Sequence, residues 1–374
     1  MIVALFPDLL AVGGVQRAGR HTAAVLDEYA KDKRRPHQFV SLNDPAGAHR
    51  GNVGELQFAF EGFGRAKGRF VTAALRQALG RPRLILAGHP NLAPLASAMK
   101  AIARDSRTVV FTYGKEVWKP LTLARTWALR RADLVLAISS DTARHLRAVH
   151  GLRDDRVRCV PLGLDPEFSC AAAASCSFHD AKDLAAFPHG RVVLTVGRQS
   201  IVDRDKGIDL LIQAMPRLAC SVPDAVLIVV GDGADREQLQ RMARALGVGE
   251  RVHFWGNVRP EGLAAAYRRC DVFALPSKQE GFGLVFIEAM AFGKPVVGGA
   301  HGGTLDVIAD GITGYLVPHG DLNRLTQVLE RLLKEARLRD EIGRRAQERV
   351  RSMYLFEHFR ARLTAVLDEA LEPR

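Results

Sequence analysis

No uninterrupted apolar stretch in the chain approaches the roughly 18 residues that a membrane-crossing helix needs. The opening MIVALFPDLL has no basic segment ahead of its apolar run and meets Pro7 and Asp8 at once. It predicts a buried first strand and not a signal peptide. Cysteine is sparse: Cys159, Cys170, Cys176, Cys220 and Cys270 are odd in number, scattered and without a CxxC pair. That pattern argues against a disulfide framework or a zinc site, and fits a reducing cytoplasm. Aromatic residues make up only 7%. With no recognition motif and no stacking platform, a nucleic-acid-binding role is not expected, despite a formal net charge of +12.

What is present is the composition of a soluble globular enzyme of two to three domains: 374 residues, 47% hydrophobic and 25% charged. The charge is uneven. Residues 1–168 hold 26 Lys+Arg against 15 Asp+Glu, whereas 169–374 hold 27 against 26. A basic half predicts an anionic partner. The stretch FGRAKGRFVTAALRQALGRPR (63–83) concentrates it, with six cations and no acid. Helical spacing puts Phe70, Ala73, Ala74, Leu75, Ala78 and Leu79 on one face. Two readings follow: a basic amphipathic helix lying on an anionic membrane surface, or a solvated helix packed on its own domain.

Short apolar runs alternate with helical stretches, the signature of parallel α/β architecture. Strands are predicted at 2–6, 38–42, 84–88, 108–113, 134–139 and 157–161, then at 192–197, 225–231, 252–256, 272–276, 295–299 and 314–318. Their continuous Val/Ile/Leu content predicts burial on both faces. The Ala-, Ser- and Cys-rich segment 169–190 reads as a linker between two series, and an amphipathic helix closes the chain over 354–374. In such domains ligands lie outside the carboxyl ends of the strands.

In the second half every strand end leads into glycine or charge: Arg198 with Lys206-Gly207, Asp232-Gly233, KQEGFG and AHGGT. Helices that follow glycine turns offer free amides to phosphate, and Arg198 and Lys206 would add full charges. Two glutamates, Glu280 and Glu288, flank one such turn. On a single helix they would stand about 12 Å apart along the axis and about 80° apart around it. Carboxylates sharing one glycosidic bond stand roughly 5–9.5 Å apart. The spacing therefore suits two clamps along an elongated ligand such as a nucleotide sugar, whose hydroxyls carboxylates accept well. The alternative is a helix-end charge at Glu280 and a solvent-facing residue at Glu288. Against it, Glu288 stands in an apolar run where an unpartnered carboxylate is costly.

VGRQSIVDRDKGIDLLIQAM, LIVVGDG, RVHFWGNV, EGFGLVFIEAMAFGKPVV and GGTLDVIADGITGYLVP, in this order through 191–320, resemble the retaining GT-B glycosyltransferases of family 4, the bacterial group 1 enzymes. GGVQR (13–17), GHPNLAPLA, KEVW, ADLVLAISSDTARHL and VPLGLDPEF are similar to the family's first domain, more loosely. The resemblance implies an α/β GT-B architecture, two Rossmann-like doubly wound domains facing across a cleft. Residues 1–168 would bind the acceptor, with 354–374 packing back on them, and 191–353 would bind the nucleotide sugar. The implied reaction is retaining, metal-independent transfer of a hexose from a UDP- or GDP-linked sugar to a hydroxyl of a saccharide or lipid-linked acceptor. It would serve bacterial glycan, glycolipid or polysaccharide synthesis, in the cytoplasm or peripherally on the inner membrane face, with no cofactor.

Carried over residue by residue, the resemblance gives Glu288 the ribose and Glu280 the donor sugar. Backbone amides at Gly281, Phe282, Gly283, Leu284 and Val285 would serve sugar and phosphate, and the turn ending at Val258 the base. Arg198 and Lys206 would neutralise the diphosphate in place of a metal ion. Gly13 and Gly14 would let the first domain close on the phosphates. No nucleophile is named, since a front-face reaction is favoured in this family.

Tyr113-Gly114 stands where the family has His-Gly, and a tyrosine titrates near pH 10 and not near neutrality. His89, at a strand end, reads either as an acceptor-side group or as a satisfied polar residue. Pro161-Leu162-Gly163 replaces the family's Pro-Asn-Gly. Asp203-Arg204-Asp205 spells the metal motif of another glycosyltransferase fold, beside Lys206 in a loop whose task looks cationic. The GDG at 231–233 lacks the spacing of a dinucleotide fingerprint. A GT-B sugar-nucleotide epimerase is the alternative enzyme, and the long Glu-x7-Glu element argues against it.

Overall fold

The computed structural model describes residues 1–173, 187–200 and 205–372. They divide into two compact units, Met1–Pro166 with Phe356–Arg374, and Glu167–Leu355. Most of the predicted linker, residues 174–186, lies outside the described residues, as do Asp203 and Arg204.

The first unit is built on eight strands: β1 (Ile2–Phe6), β2 (His37–Ser41), β3 (Gly47–Val53), β4 (Leu56–Gly62), β5 (Leu84–Ala87), β6 (Arg107–Thr112), β7 (Leu134–Ala137) and β8 (Val157–Cys159). Their order is β3-β4-β2-β1-β5-β6-β7-β8, and every pairing is parallel except β3 with β4. Strand order reverses direction between β1 and β5. On one face the helices Lys67–Leu79, Ala93–Ile102 and Leu123–Arg131 close over Val3, Leu5, Ile85 and Val110. Gly14–Asp32 takes the Phe6 side, and its His21 sits edge-on to Phe356 of the helix Phe356–Leu371. Tyr29 donates from its hydroxyl to Asp368 at 2.9 Å, tying the last helix to this unit.

The second unit has six strands, all parallel: β9 (Arg191–Val196), β10 (Ala225–Val230), β11 (Val252–Gly256), β12 (Val272–Leu275), β13 (Val296–Gly299) and β14 (Gly314–Val317). The order β11-β10-β9-β12-β13-β14 reverses direction between β9 and β12. The predicted twelve strands are all found, within two residues at each end. They are buried nearly throughout because helices cover both faces, as their unbroken apolar runs require.

Two features differ from expectation. The hairpin β3–β4 was not predicted: β3 buries only Val53, and β4 alternates exposed and buried residues, so neither shows an apolar run. The helix within 63–83 exists, but Phe70, Ala74 and Ala78 are in the core and Ala73 and Leu75 pack beside them. Of the six residues on the predicted stripe only Leu79 is exposed. The apolar face is consumed by the domain itself, and the cations Lys67, Arg69 and Arg76 face outward with Val71 and Leu79.

Candidate active site

The carboxyl ends of β9, β12 and β13 assemble most of the predicted donor residues, at the point where strand order reverses. Open α/β sheets place ligands there. Gly207 caps the helix Ile208–Ser221 in the left-handed conformation (φ 76°), and a Cβ there would lie 2.5 Å from the Pro276 carbonyl oxygen. This close approach docks the loop after β9 against the loop after β12, and the Lys278 amide donates to the Asp205 carbonyl at 2.6 Å. The result is a contact across 74 residues: Lys206 Nζ lies 2.5 Å from Glu280 Oε2, both side chains largely withdrawn from solvent.

Glu280 itself is fixed through its backbone, whose carbonyl accepts the Gly303 amide at 2.7 Å. A Cβ on Gly303 would lie 2.1 Å from the Gly281 carbonyl oxygen, so the turn after β13 and the turn carrying Glu280 meet backbone to backbone. Gly283 then caps the helix Leu284–Ala291 without a side-chain cap, and the Phe286 amide donates to the Gly283 carbonyl at 2.9 Å. The Phe282 ring is buried edge-on against Tyr354, 5.7 Å between centroids. Its side chain is structural.

Glu288 is not a solvent-facing residue. It is 1% exposed, and its Oε2 accepts the Tyr267 hydroxyl at 2.8 Å. Tyr267, itself fully buried, stacks on Phe292 and packs against Phe273 and Phe168. The costly carboxylate in the apolar run thus has a phenol for partner. Nothing in the sequence marks Tyr267, since an aromatic residue in a helix is ordinarily core.

Arg198 is exposed at the end of β9, next to the buried Gln199. Gln199 Nε2 donates to the Gly231 carbonyl at 2.6 Å, holding the loops after β9 and β10 together. Gly231 in turn donates to Gly256 at 2.8 Å, and Arg236 donates to the Phe254 carbonyl at 2.8 Å. These bonds set the half-buried Val258 turn beside the end of β10. Ser277 Oγ, Thr304 Oγ1 and Gln199 Oε1 are buried without a hydrogen-bond partner among the described residues. All three follow strand ends of this unit, and sequence reasoning missed them.

Gly13, Gly14, His89 and Tyr113 belong to the first unit, on loops that leave the carboxyl ends of the adjacent strands β1, β5 and β6. Gly13 and Gly14 open the 19-residue helix Gly14–Asp32. The loop before them is pinned by the buried Asp44, which accepts the Leu9 amide at 2.7 Å and the Leu10 amide at 3.1 Å. Tyr113 is buried, its hydroxyl donating to the Gly88 carbonyl at 3.0 Å, and burial pushes its ionisation far up. It is a neutral phenol already committed to backbone. His89 lies 6.1 Å from the Tyr113 ring, nearly parallel to it, and its Nδ1 accepts the Asn91 amide at 3.1 Å. Burial, then the nearby Arg125, pull its pKa down to about 4.

A pH dependence follows from that shift. Unfolded, the imidazole takes its proton near 6.5, so the unfolded chain binds it first as pH falls. Stability from neutral His89 is complete above about 6.5 and is lost as pH drops from about 6.5 to about 4. His89→Asn keeps an acceptor for the Asn91 amide without a titrating group. The unfolding free energy from urea titrations should fall less between about pH 7 and pH 4.5 in this variant than in the parent, by on the order of 1–3 kcal/mol.

This fold is that of the GT-B glycosyltransferases. Sucrose-phosphate synthase from Thermosynechococcus elongatus superposes with a TM-score of 0.78 at 23% identity, covering 98% of each chain. Anabaena HepE in complex with UDP gives 0.75 at 20%, covering 99% of this chain and 100% of that one. The chain belongs to the group 1 and family 4 glycosyltransferases: Glycosyl transferases group 1 matches residues 179–349 and Glycosyltransferase Family 4 residues 15–168. It is 36% identical over 290 residues to a GDP-mannose-dependent alpha-(1-6)-phosphatidylinositol monomannoside mannosyltransferase of Mycolicibacterium smegmatis, covering 73% of each. It is 31% identical over 352 residues to a phosphatidyl-myo-inositol mannosyltransferase of Mycobacterium leprae, covering 92% of this chain and 87% of that one. The epimerase alternative is not favoured by these matches. Among the described residues no helix is long and apolar enough to cross a membrane.

Proposed function

We propose that this glycosyltransferase moves a hexose, with retention and without a metal ion, from a GDP-linked sugar to a hydroxyl of a lipid-linked acceptor. The second unit holds the donor and the first unit the acceptor. One observation carries the reading: the Lys206–Glu280 pair at the mouth of a glycine-capped helix, where strand order reverses. A cation and a carboxylate locked together suit two neighbouring groups of one ligand, a phosphate and a sugar. Lys206 and the exposed Arg198 take the charge that would otherwise need a divalent ion. Glu280 orients the sugar and faces the positive charge that grows at its anomeric carbon. Glu288 with Tyr267 marks the ribose end. In a front-face transfer the bond from the anomeric carbon to the β-phosphate oxygen breaks as the acceptor oxygen bonds on the same face. The acceptor proton passes to the departing phosphate oxygen.

Mannose and GDP are favoured because the two mannosyltransferase relatives named above are a GDP-mannose-dependent enzyme acting on phosphatidylinositol monomannoside and a phosphatidyl-myo-inositol mannosyltransferase. The test is calorimetry of the full chain with GDP, UDP and ADP and with their sugars. Binding of GDP at least about tenfold tighter than UDP is the expected result. Preference for UDP would overturn the donor assignment, and binding of none would overturn the site.

A further inference from the structure

Transfer chemistry leaves the Gly231-Asp232-Gly233 turn after β10 without a task, yet it is built as tightly as the turns around Glu280. A Cβ at Gly231 would lie 2.1 Å from the Gly197 carbonyl oxygen, and one at Gly233 2.2 Å from that of Gln199. The Gln199 amide donates to the Asp232 carbonyl at 3.0 Å, and the Gly231 amide to the Gly256 carbonyl at 2.8 Å. The turn is therefore fastened on one side to the loop carrying Arg198 and on the other to the end of β11. Of its three residues only Asp232 has a side chain to offer.

That side chain is both held and open. Its Oδ1 accepts the Gly233 amide at 2.8 Å and lies 3.6 Å from an Arg236 guanidinium nitrogen. Arg236 is itself anchored on the Phe254 carbonyl at 2.8 Å, so its charge draws the carboxylate toward β11. Among the described residues nothing donates to Oδ2, which lies 4.0 Å from where a Cβ on Gly256 would stand. The side chain is 47% exposed. A carboxylate oxygen is thus presented at the mouth between β10 and β11, close to the half-buried Val258 turn. Two other acids follow these strand ends. Asp235 is buried at the start of the next helix, and Glu261 is exposed on the helix Pro260–Arg269 beyond the turn.

Arg198 stands at the end of β9, and β10 is the neighbouring strand. A nucleotide whose phosphates face Arg198 can therefore bring its base to Asp232, and base chemistry decides which one fits. Guanine carries its N1–H and its 2-amino group side by side, two donors that match the two oxygens of a carboxylate. Uracil has one N–H between two carbonyl oxygens, which a carboxylate repels. Adenine sets a single amine beside a ring acceptor. We infer that Asp232 selects guanine, its carboxylate accepting from N1–H and the 2-amino group while Val258 covers the ring. The inference rests on the GDP-linked donor reading and adds the side chain responsible for it.

Calorimetry of the full chain with GDP, inosine diphosphate and UDP tests it, because inosine diphosphate is GDP without the 2-amino group. The parent should bind GDP about tenfold tighter than inosine diphosphate. Asp232→Asn keeps an acceptor for the Gly233 amide but turns an amino group toward guanine, so that donors face donors. Its GDP affinity should fall about tenfold or more, and its ratio of GDP to inosine diphosphate affinity to about one. Its UDP affinity should not fall. A merely structural role for Asp232 would weaken all three nucleotides alike and leave the ratio standing. Glu261→Gln should keep the parental ratio. A ratio that survives Asp232→Asn, a ratio lost in Glu261→Gln, or a parent that binds GDP and inosine diphosphate equally would overturn the assignment. In each of those cases a parent that still prefers GDP over UDP leaves the donor reading intact. A parent that prefers UDP sinks that reading and this inference together.

Discussion

Glu288→Ala should reduce sugar transfer by two to four orders of magnitude in a chain that remains folded. The carboxylate is the proposed acceptor of two ribose hydroxyls, and each charge-assisted hydrogen bond is worth about 1.5–3 kcal/mol. Because ribose is held alike before and during the reaction, the loss should fall mainly on donor affinity, read as a raised KM or Kd. The substitution also leaves the buried Tyr267 hydroxyl without its 2.8 Å partner, at a cost of about 1–3 kcal/mol. That is tolerable against a stability of about 5–15 kcal/mol, and a denaturant titration will show it. Tyr267→Phe is the control. It should lose stability by a similar amount yet keep most of its donor affinity, because the carboxylate remains. Full transfer activity in Glu288→Ala would falsify the clamp.

Lys206→Ala should lower kcat by about two to four orders of magnitude, with a smaller effect on donor affinity. Its ammonium is proposed to face the diphosphate as negative charge develops there, and preorganised charges at such positions are worth roughly that much. The pair is largely withdrawn from solvent, so its loss should cost more than the about 0–1 kcal/mol of a surface ion pair, yet less than a stability of about 5–15 kcal/mol, and the fold should survive. Glu280→Gln separates the two partners. The backbone bond from Gly303 that fixes the turn does not involve the side chain, so the loop should hold and the chemistry alone should suffer. Near-parental kcat in Lys206→Ala under donor saturation is the outcome that removes the lysine from the mechanism.

The two sheets were legible because their strands are buried on both faces and so are written as unbroken Val/Ile/Leu runs. The hairpin β3–β4 was not, because an edge pair half in solvent needs only an occasional apolar residue such as Val53. Residue periodicity placed Phe70, Ala74 and Ala78 on one face correctly. It said nothing about what covers that face, and the cover is the protein's own core. The helix Leu123–Arg131 shows the reverse: Leu123 and Trp127 lie outside while Ala128 and Leu129 lie inside, so no apolar stripe announces either side. At the site, the glutamates and cations were found by type and spacing with the help of a family resemblance. The partners that hold them, Tyr267 and the Gly303 amide, are long-range contacts, and no local pattern encodes those.

The glycine seams at the end of β13 bear on how this enzyme can change its donor. A Cβ at Gly299 would lie 1.8 Å from the Ser277 carbonyl oxygen, and one at Gly303 2.1 Å from that of Gly281. The turns there are set at backbone contact distance, so none can drift without displacing its neighbour. In a selection for a new nucleotide or sugar, surviving substitutions should therefore gather at side chains that line the edge without spacing it or facing the diphosphate, such as Val258. The turns themselves should stay unchanged from one selected variant to the next.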